Sequence, residues 1–273
     1  MRGKLAYYLG HIEFEVIKLN IIVCYKIVPC EQDITIRQDG TLSFDKAEWE
    51  IGQYDLMPVE AAMQLVEEVG GRVSALSIGS KQLDNSKLKK GILSRGPEEL
   101  FVVIDETLEN IDTFQTASTL ASAIGKIGDY DLILFGEGSS DLYAQQVGPQ
   151  VGELLKLPTL NSISKITPLK DQLVVERTLE NEVEVLEVNL PAVICVTTDI
   201  NLPRIPTMKD ILASGKKPVT QWKFNDLECR AITKATEITN TLAPPQAERK
   251  QIIFEGDSEE VVSQFFDSFR KAL

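Results

Sequence analysis

The residues best suited to chemistry form one run: Gly136-Glu137-Gly138-Ser139-Ser140-Asp141-Leu142-Tyr143-Ala144-Gln145-Gln146-Val147-Gly148. Glycines let a backbone approach a phosphate, hydroxyls add donors, and a following helix start offers unpaired N–H groups. The run is neither G-x-x-x-x-G-K-[ST] nor a full G-x-G-x-x-G, because Ser140-Asp141 replaces the last glycine position. On spacing alone it reads equally as a phosphate loop or as a Gly-rich turn between a strand and a helix. Asp141 and Gly148 are expected in that turn and outside the core. No Lys or Arg lies between Gly136 and Gly148, so a single phosphate is easier to hold there than a triphosphate.

Other chemistries have few residues to work with. The one histidine is His11, in a stretch that reads as peripheral, so a Ser-His-Asp triad or a multi-histidine metal site is hard to build. The four cysteines, Cys24, Cys30, Cys195 and Cys229, make no C-x-x-C pair and read as buried or half-buried thiols of a reducing cytoplasm. The 28 basic and 41 acidic residues leave a formal charge of −13, which opposes general nucleic-acid binding. No run approaches the roughly 18 apolar residues of a membrane span, and no signal peptide is expected at the start. At 273 residues and 43% apolar content the chain can bury a sizeable core.

The elements that must position the loop follow from hydrophobic patterning. Leu19–Lys26 is a continuous apolar run and reads as a buried first strand, preceded by an extension, residues 1–18. Ile34, Ile36, Leu42 and Phe44 alternate with polar residues and suggest a small hairpin. Asp55 is the expected N-cap of a helix with Leu56, Val59, Met63, Val66 and Val69 at helical spacing, stopped by Gly70-Gly71. Arg72–Ile78, Leu100–Ile104 and Asp131–Phe135 are further strands. Residues 80–94 and Asp112–Ile127 are helices between them. Strand–helix alternation predicts a doubly wound, mostly parallel α/β sheet covered on both faces, whose ligands bind at strand carboxyl ends. Later, Val174-Val175, Val183–Val188 and Ala192–Val196 suggest an added β-hairpin and a return to the sheet. A short helix is expected over Met208–Ala213. Residues 226–249 read as an arm carrying an amphipathic helix, Ser258–Leu273, with Val261, Val262, Phe265, Phe266 and Phe269 on one face.

Five segments carry a resemblance. Ile21–Pro29, Gln53-Tyr54-Asp55 leading into Val59-Glu60-Ala61-Ala62, Leu93-Ser94-Arg95-Gly96-Pro97 and the Gly136–Gly148 loop resemble the beta subunit of electron-transfer flavoprotein. So does Val175–Leu186 followed by Pro191-Ala192-Val193-Ile194-Cys195. The likeness covers roughly Leu19 to Leu273. It is closest to the Fix-type branch, found beside anaerobic carnitine or acyl-CoA pathways and nitrogen fixation.

The resemblance implies a Rossmann-like, adenine-nucleotide-binding domain over 19–225 and a C-terminal arm and helix, 226–273, that contacts an alpha subunit. It implies an electron carrier, not an enzyme, in an alpha–beta heterodimer of the cytoplasm. FAD is then held mainly by the alpha subunit, and this subunit holds AMP or, in electron-bifurcating members, a second FAD. The nucleotide is expected to meet Cys24; Gly52, Gln53, Tyr54 and Asp55; Ile78; and Gly136, Glu137, Gly138, Ser139, Ser140, Asp141, Gln145, Gln146 and Val147. Asp141 either orients the loop or accepts from the ribose, or is the N-cap of the following helix. Tyr54 either packs near the alpha-subunit flavin or is a rim aromatic. Lys26, Arg95 and Arg177 invite phosphate roles, with structural ion pairs as the commoner fate. Met208 is expected to dock on acyl-CoA dehydrogenases or else to lie in the core of its short helix. Electrons would pass on to a quinone oxidoreductase or another reductase. Rival readings are an ATP-using enzyme on the same sheet and a nucleotide-sensing protein.

Overall fold

β1 (Leu19–Cys24) is apolar at every position but one because both its faces are covered. Leu19, Ile21 and Val23 enter one buried cluster, while Ile22 and Cys24 enter a second cluster across the sheet. The computed structural model describes the backbone of residues 5–8 and 13–16, together with residues 18–169, 172–228, 233–245 and 251–271. Of the 1–18 extension it describes an antiparallel pair, Leu5–Tyr8 with Glu13–Val16. His11 and Cys229 lie outside the described residues.

From β1 the chain runs through α1 (Gln53–Val69), β2 (Gly71–Gly79), α2 (Ser86–Leu93), β3 (Glu99–Ile104), α3 (Thr113–Ile127), β4 (Leu132–Gly136) and α4 (Val147–Leu155). It continues through β5 (Thr159–Pro168), β6 (Gln172–Thr178), β7 (Val183–Asn189) and β8 (Ala192–Val196), then α5 (Met208–Ser214) and β9 (Val219–Trp222). These nine strands form one sheet in the order β7-β6-β5-β8-β4-β1-β2-β3-β9. β1 to β5, β8 and β9 pair in parallel, and β6 and β7 add antiparallel to β5. Residues of α1 and α2 pack into the first cluster, those of α3 and α4 into the second. The fold is therefore the expected doubly wound α/β sheet.

This winding positions the site. The chain moves outward from β1 through β2 to β3, then returns to place β4 on the other side of β1. Helices change face at that reversal, which opens a crevice beyond the carboxyl ends of β1 and β4.

Several expectations are corrected. The cap of α1 is Gly52, not Asp55, which sits in the first turn and is buried. Residues 80–94 are not one helix: a 3-10 turn, Lys81–Leu83, precedes α2, whose N-cap Asn85 accepts from Lys87 N. The hairpin near Ile34 is joined by a second pairing, Ile27–Pro29 with Trp49–Ile51. β5 and β9 were not legible as strands. Among the described residues no helix is long and apolar enough to cross a membrane.

The chain forms two compact units, Met1–Thr35 with Ser43–Thr239, and Ile36–Leu42 with Asn240–Leu273. In the first, the start of the arm is tied down where Asp112 accepts from Ala235 N and Thr236 N at 2.5 and 3.1 Å. In the second, Thr41 bridges Leu242, and α6 (Glu259–Arg270) is capped by Ser258, which accepts from Val261 N. The acidic pair Glu259 and Glu260 occupies the first turn of α6 and Arg270 its last, as the helix dipole favours.

Candidate functional site at the sheet switch point

The crevice floor is tied together by one side chain. Asp55 accepts from Lys26 N at 2.7 Å, just past β1, and the Gly136 N–H at the end of β4 also donates to it. Gly52 N donates to Lys26 O at 2.8 Å. One carboxyl thus joins two strand ends to the first turn of α1. Burial pushes it up from the ordinary carboxylate range to about 7, against the two N–H donors and nearby Lys26, with Asp141 adding to the rise. It is 6% exposed and works beneath the crevice.

The loop lies over that floor. Gly136 is required by close approach, because a Cβ there would stand 2.6 Å from Tyr54 O. Tyr143 turns back on Ser139, donating its N–H to Ser139 O at 2.9 Å. The Tyr143 ring lies 5.2 Å from the Tyr54 ring. Lys26 Nζ donates to both Asp141 oxygens, at 2.5 and 2.7 Å. Asp141 is therefore a loop-fixing residue and not a helix cap. Burial raises its carboxyl, but Lys26 outweighs that and leaves it below the usual range.

The cap of α4 is Gln146, which makes no side-chain hydrogen bond to the helix it precedes. Gln146 is held from elsewhere: Thr113 Oγ1 donates to its Oε1 at 2.7 Å. Pro149 has no N–H, so within the first turn of α4 the N–H groups left without a helical acceptor are those of Val147 and Gly148. Those donors and the positive end of the helix dipole suit one anionic oxygen group. Uncapped donors and a close-approach glycine are groups that could hold a phosphate.

The structure brings Gly52 to Asp55 and Gly136 to Val147 around one crevice, with Cys24 at the end of β1 and Ile78 one strand away at the end of β2. The Cys24 side chain is turned into the second cluster, where burial raises its thiol. Arg177 is ion-paired with Glu184 on the neighbouring strand β7, and Arg95 donates to Gly91 O at 2.7 Å. Arg177 takes the ion-pair fate, as Lys26 does with Asp141, whereas Arg95 is held by a backbone carbonyl. Met208 belongs to a different surface, at the start of α5, and at 72% exposed it is not a core residue. Sequence reasoning missed the Lys26–Asp141 and Thr113–Gln146 partnerships. Only Lys26 gave a signal, as a cation placed directly after a buried strand.

Gly148 is also corrected. It is buried, and a Cβ there would stand 2.3 Å from Cys195 Sγ and 3.4 Å from the Phe135 ring. Gly148→Val should therefore cost at least about 1–3 kcal/mol through overpacking, seen as a lower denaturant midpoint. An unchanged midpoint would contradict this packing.

Residues 39–227 match the family model described as the electron transfer flavoprotein domain. The chain belongs to the electron transfer flavoprotein family. That family is flavin-associated and consists of electron carriers. The matched span begins after β1, yet β1 sits between β4 and β2 in the sheet, so the folded domain extends upstream of it.

Proposed function

We propose that this chain is the beta subunit of a heterodimeric electron transfer flavoprotein. In this reading it relays electrons from an acyl-CoA-type dehydrogenase, through FAD held mainly by the alpha subunit, to a quinone oxidoreductase or another reductase. The observation that carries the reading is the crevice at β1 and β4 within a chain of this family. It offers helix N–H donors for one phosphate, while its nearby cation, Lys26, is already committed to Asp141. That arrangement favours an adenine nucleotide kept as a fixed part of the fold over a triphosphate that is turned over.

The FAD of the assembly supplies the redox chemistry when bound. This chain's residues bind and orient. The α4 first turn takes the phosphate, Lys26 and Asp141 hold the loop closed, and Asp55 keeps the two strand ends in register beneath it. AMP and the adenylate half of a second FAD present the same chemistry to these groups. Away from the crevice, Leu202 is 91% exposed and Ile205 90%, and with Met208 they offer an apolar docking face for the dehydrogenase.

Expressed alone, the chain should carry little tightly bound flavin, read from the visible absorbance of the purified protein. A stoichiometric, redox-active FAD on the isolated chain would overturn the AMP version in favour of the bifurcating one.

A further inference from the structure

Residues of α1, α2 and the strand Trp49–Ile51 line a cavity of about 580 Å³, the size of a small-molecule site. Gln53 is shared with the crevice, but Tyr54, Asp55 and the Gly136–Val147 loop take no part in the lining. Most of the wall is apolar and comes from Trp49, Ile51, Leu56, Met57 and Leu88.

One cation on this lining has no counter-ion. Arg95, just past the end of α2, is half-buried and donates Nη1 to Gly91 O at 2.7 Å. Its Nε is buried with no hydrogen-bond partner. Burial lowers the guanidinium from the ordinary arginine range, and no carboxylate acts against that fall. A desolvated cation with one neutral acceptor is poorly compensated, and an anion brought to it relieves the cost. The terminal N–H groups that Gly91 O does not use match the plane of a carboxylate.

The remaining charges narrow the ligand. Asp33 accepts from Glu48 N at 3.0 Å, and Glu48 pairs with Lys87 at 3.0 Å, so both of these carboxylates are engaged within the protein. Glu50 adds a further negative charge to the same lining. A phosphate dianion or a CoA thioester would meet that repulsion more than once. A single negative charge on an apolar body suits the walls.

We propose that this cavity is a second ligand site, for a small monocarboxylate, with the carboxylate on Arg95 and the apolar body against Trp49, Leu56 and Leu88. It goes beyond the electron-carrier reading and does not depend on it.

Trp49 supplies the readout. The chain has two tryptophans, and the other, Trp222, stacks on Phe101 at the β9 edge of the sheet. In a Trp222→Phe background the fluorescence of the full chain therefore reports the cavity. Benzoate and hexanoate should give a saturable change, with benzamide and inorganic phosphate weaker by at least about tenfold. Arg95→Gln should weaken benzoate about tenfold, and Arg95→Lys, which keeps the charge but loses the fork, should fall between. Glu50→Gln should tighten benzoate about threefold by removing the repulsion, a gain that misfolding does not imitate. Where Arg95→Gln also lowers the denaturant midpoint, Glu50→Gln decides, and no tightening overturns the proposal. It is equally overturned if neither carboxylate gives a saturable response, or if benzamide or phosphate binds as tightly as benzoate.

Discussion

Asp55→Ala should lose several kcal/mol of stability and most of the nucleotide affinity of the crevice. The substitution leaves the Lys26 and Gly136 N–H groups without their acceptor. Each buried unpaired donor costs about 1–3 kcal/mol. Their realignment moves the ends of β1 and β4, which carry the loop. Asp55→Asn is also expected to be damaging, because its amide nitrogen would face an N–H donor.

The pH dependence has a fixed sign. The folded carboxyl titrates at about 7 because of burial, against about 3.9 in an unfolded chain. Between those values the folded state holds a proton that the unfolded state has released, so stability falls as pH rises through the window. The total is up to about 4 kcal/mol by linkage. Asp55→Asn removes this slope. Its deficit relative to wild type should be largest near pH 4 and shrink toward pH 8 in denaturant titrations. A deficit that grows with pH would mean that the carboxyl is held ionised in the fold.

Deleting residues 247–273 should abolish co-purification with the alpha subunit while the sheet domain stays folded. No described residue of α6 is buried, and Val262, Phe265, Phe266 and Phe269 are 46–55% exposed. Phe265 packs edge-on to Phe254 at 5.9 Å and stacks with Phe269 at 6.2 Å, within the same unit. An apolar stripe of this size is characteristic of an interaction surface. We assign it to the alpha subunit, where it would supply much of the apolar contact of the heterodimer. Pairing that survives the deletion would refute this assignment.

What could be read from the sequence follows from how each element is stabilised. β1, β3, β4 and β8 are near-continuous apolar runs because they are buried on both faces, and that pattern needs no partner to be seen; β2 has the same burial but interrupts its run with Ser74 and Ser77. β9 is an edge strand, Val-Thr-Gln-Trp, only partly buried and made a strand by pairing with β3. β5 carries register shifts between Leu160 and Ile163 and between Ile163 and Lys165, with Ser162 at φ +57°. Such irregularities break the period-two pattern. Within the site, the Gly136–Val147 loop was visible as composition. The pairing of Lys26 with Asp141 joins residues 115 apart in sequence, and the topology alone brings them together. Asp55 read as a cap because Asp is a common cap residue. Its place in the first turn of α1, under two strand ends, is a tertiary fact.

The most direct measurement is to purify this chain with its alpha partner and identify every bound nucleotide by mass spectrometry, with stoichiometry. The account predicts one FAD per heterodimer and, in addition, one adenine nucleotide, AMP or a second FAD, that is lost or weakened on Asp55→Ala. A stable heterodimer with no second nucleotide, or a second nucleotide indifferent to Asp55, would contradict it.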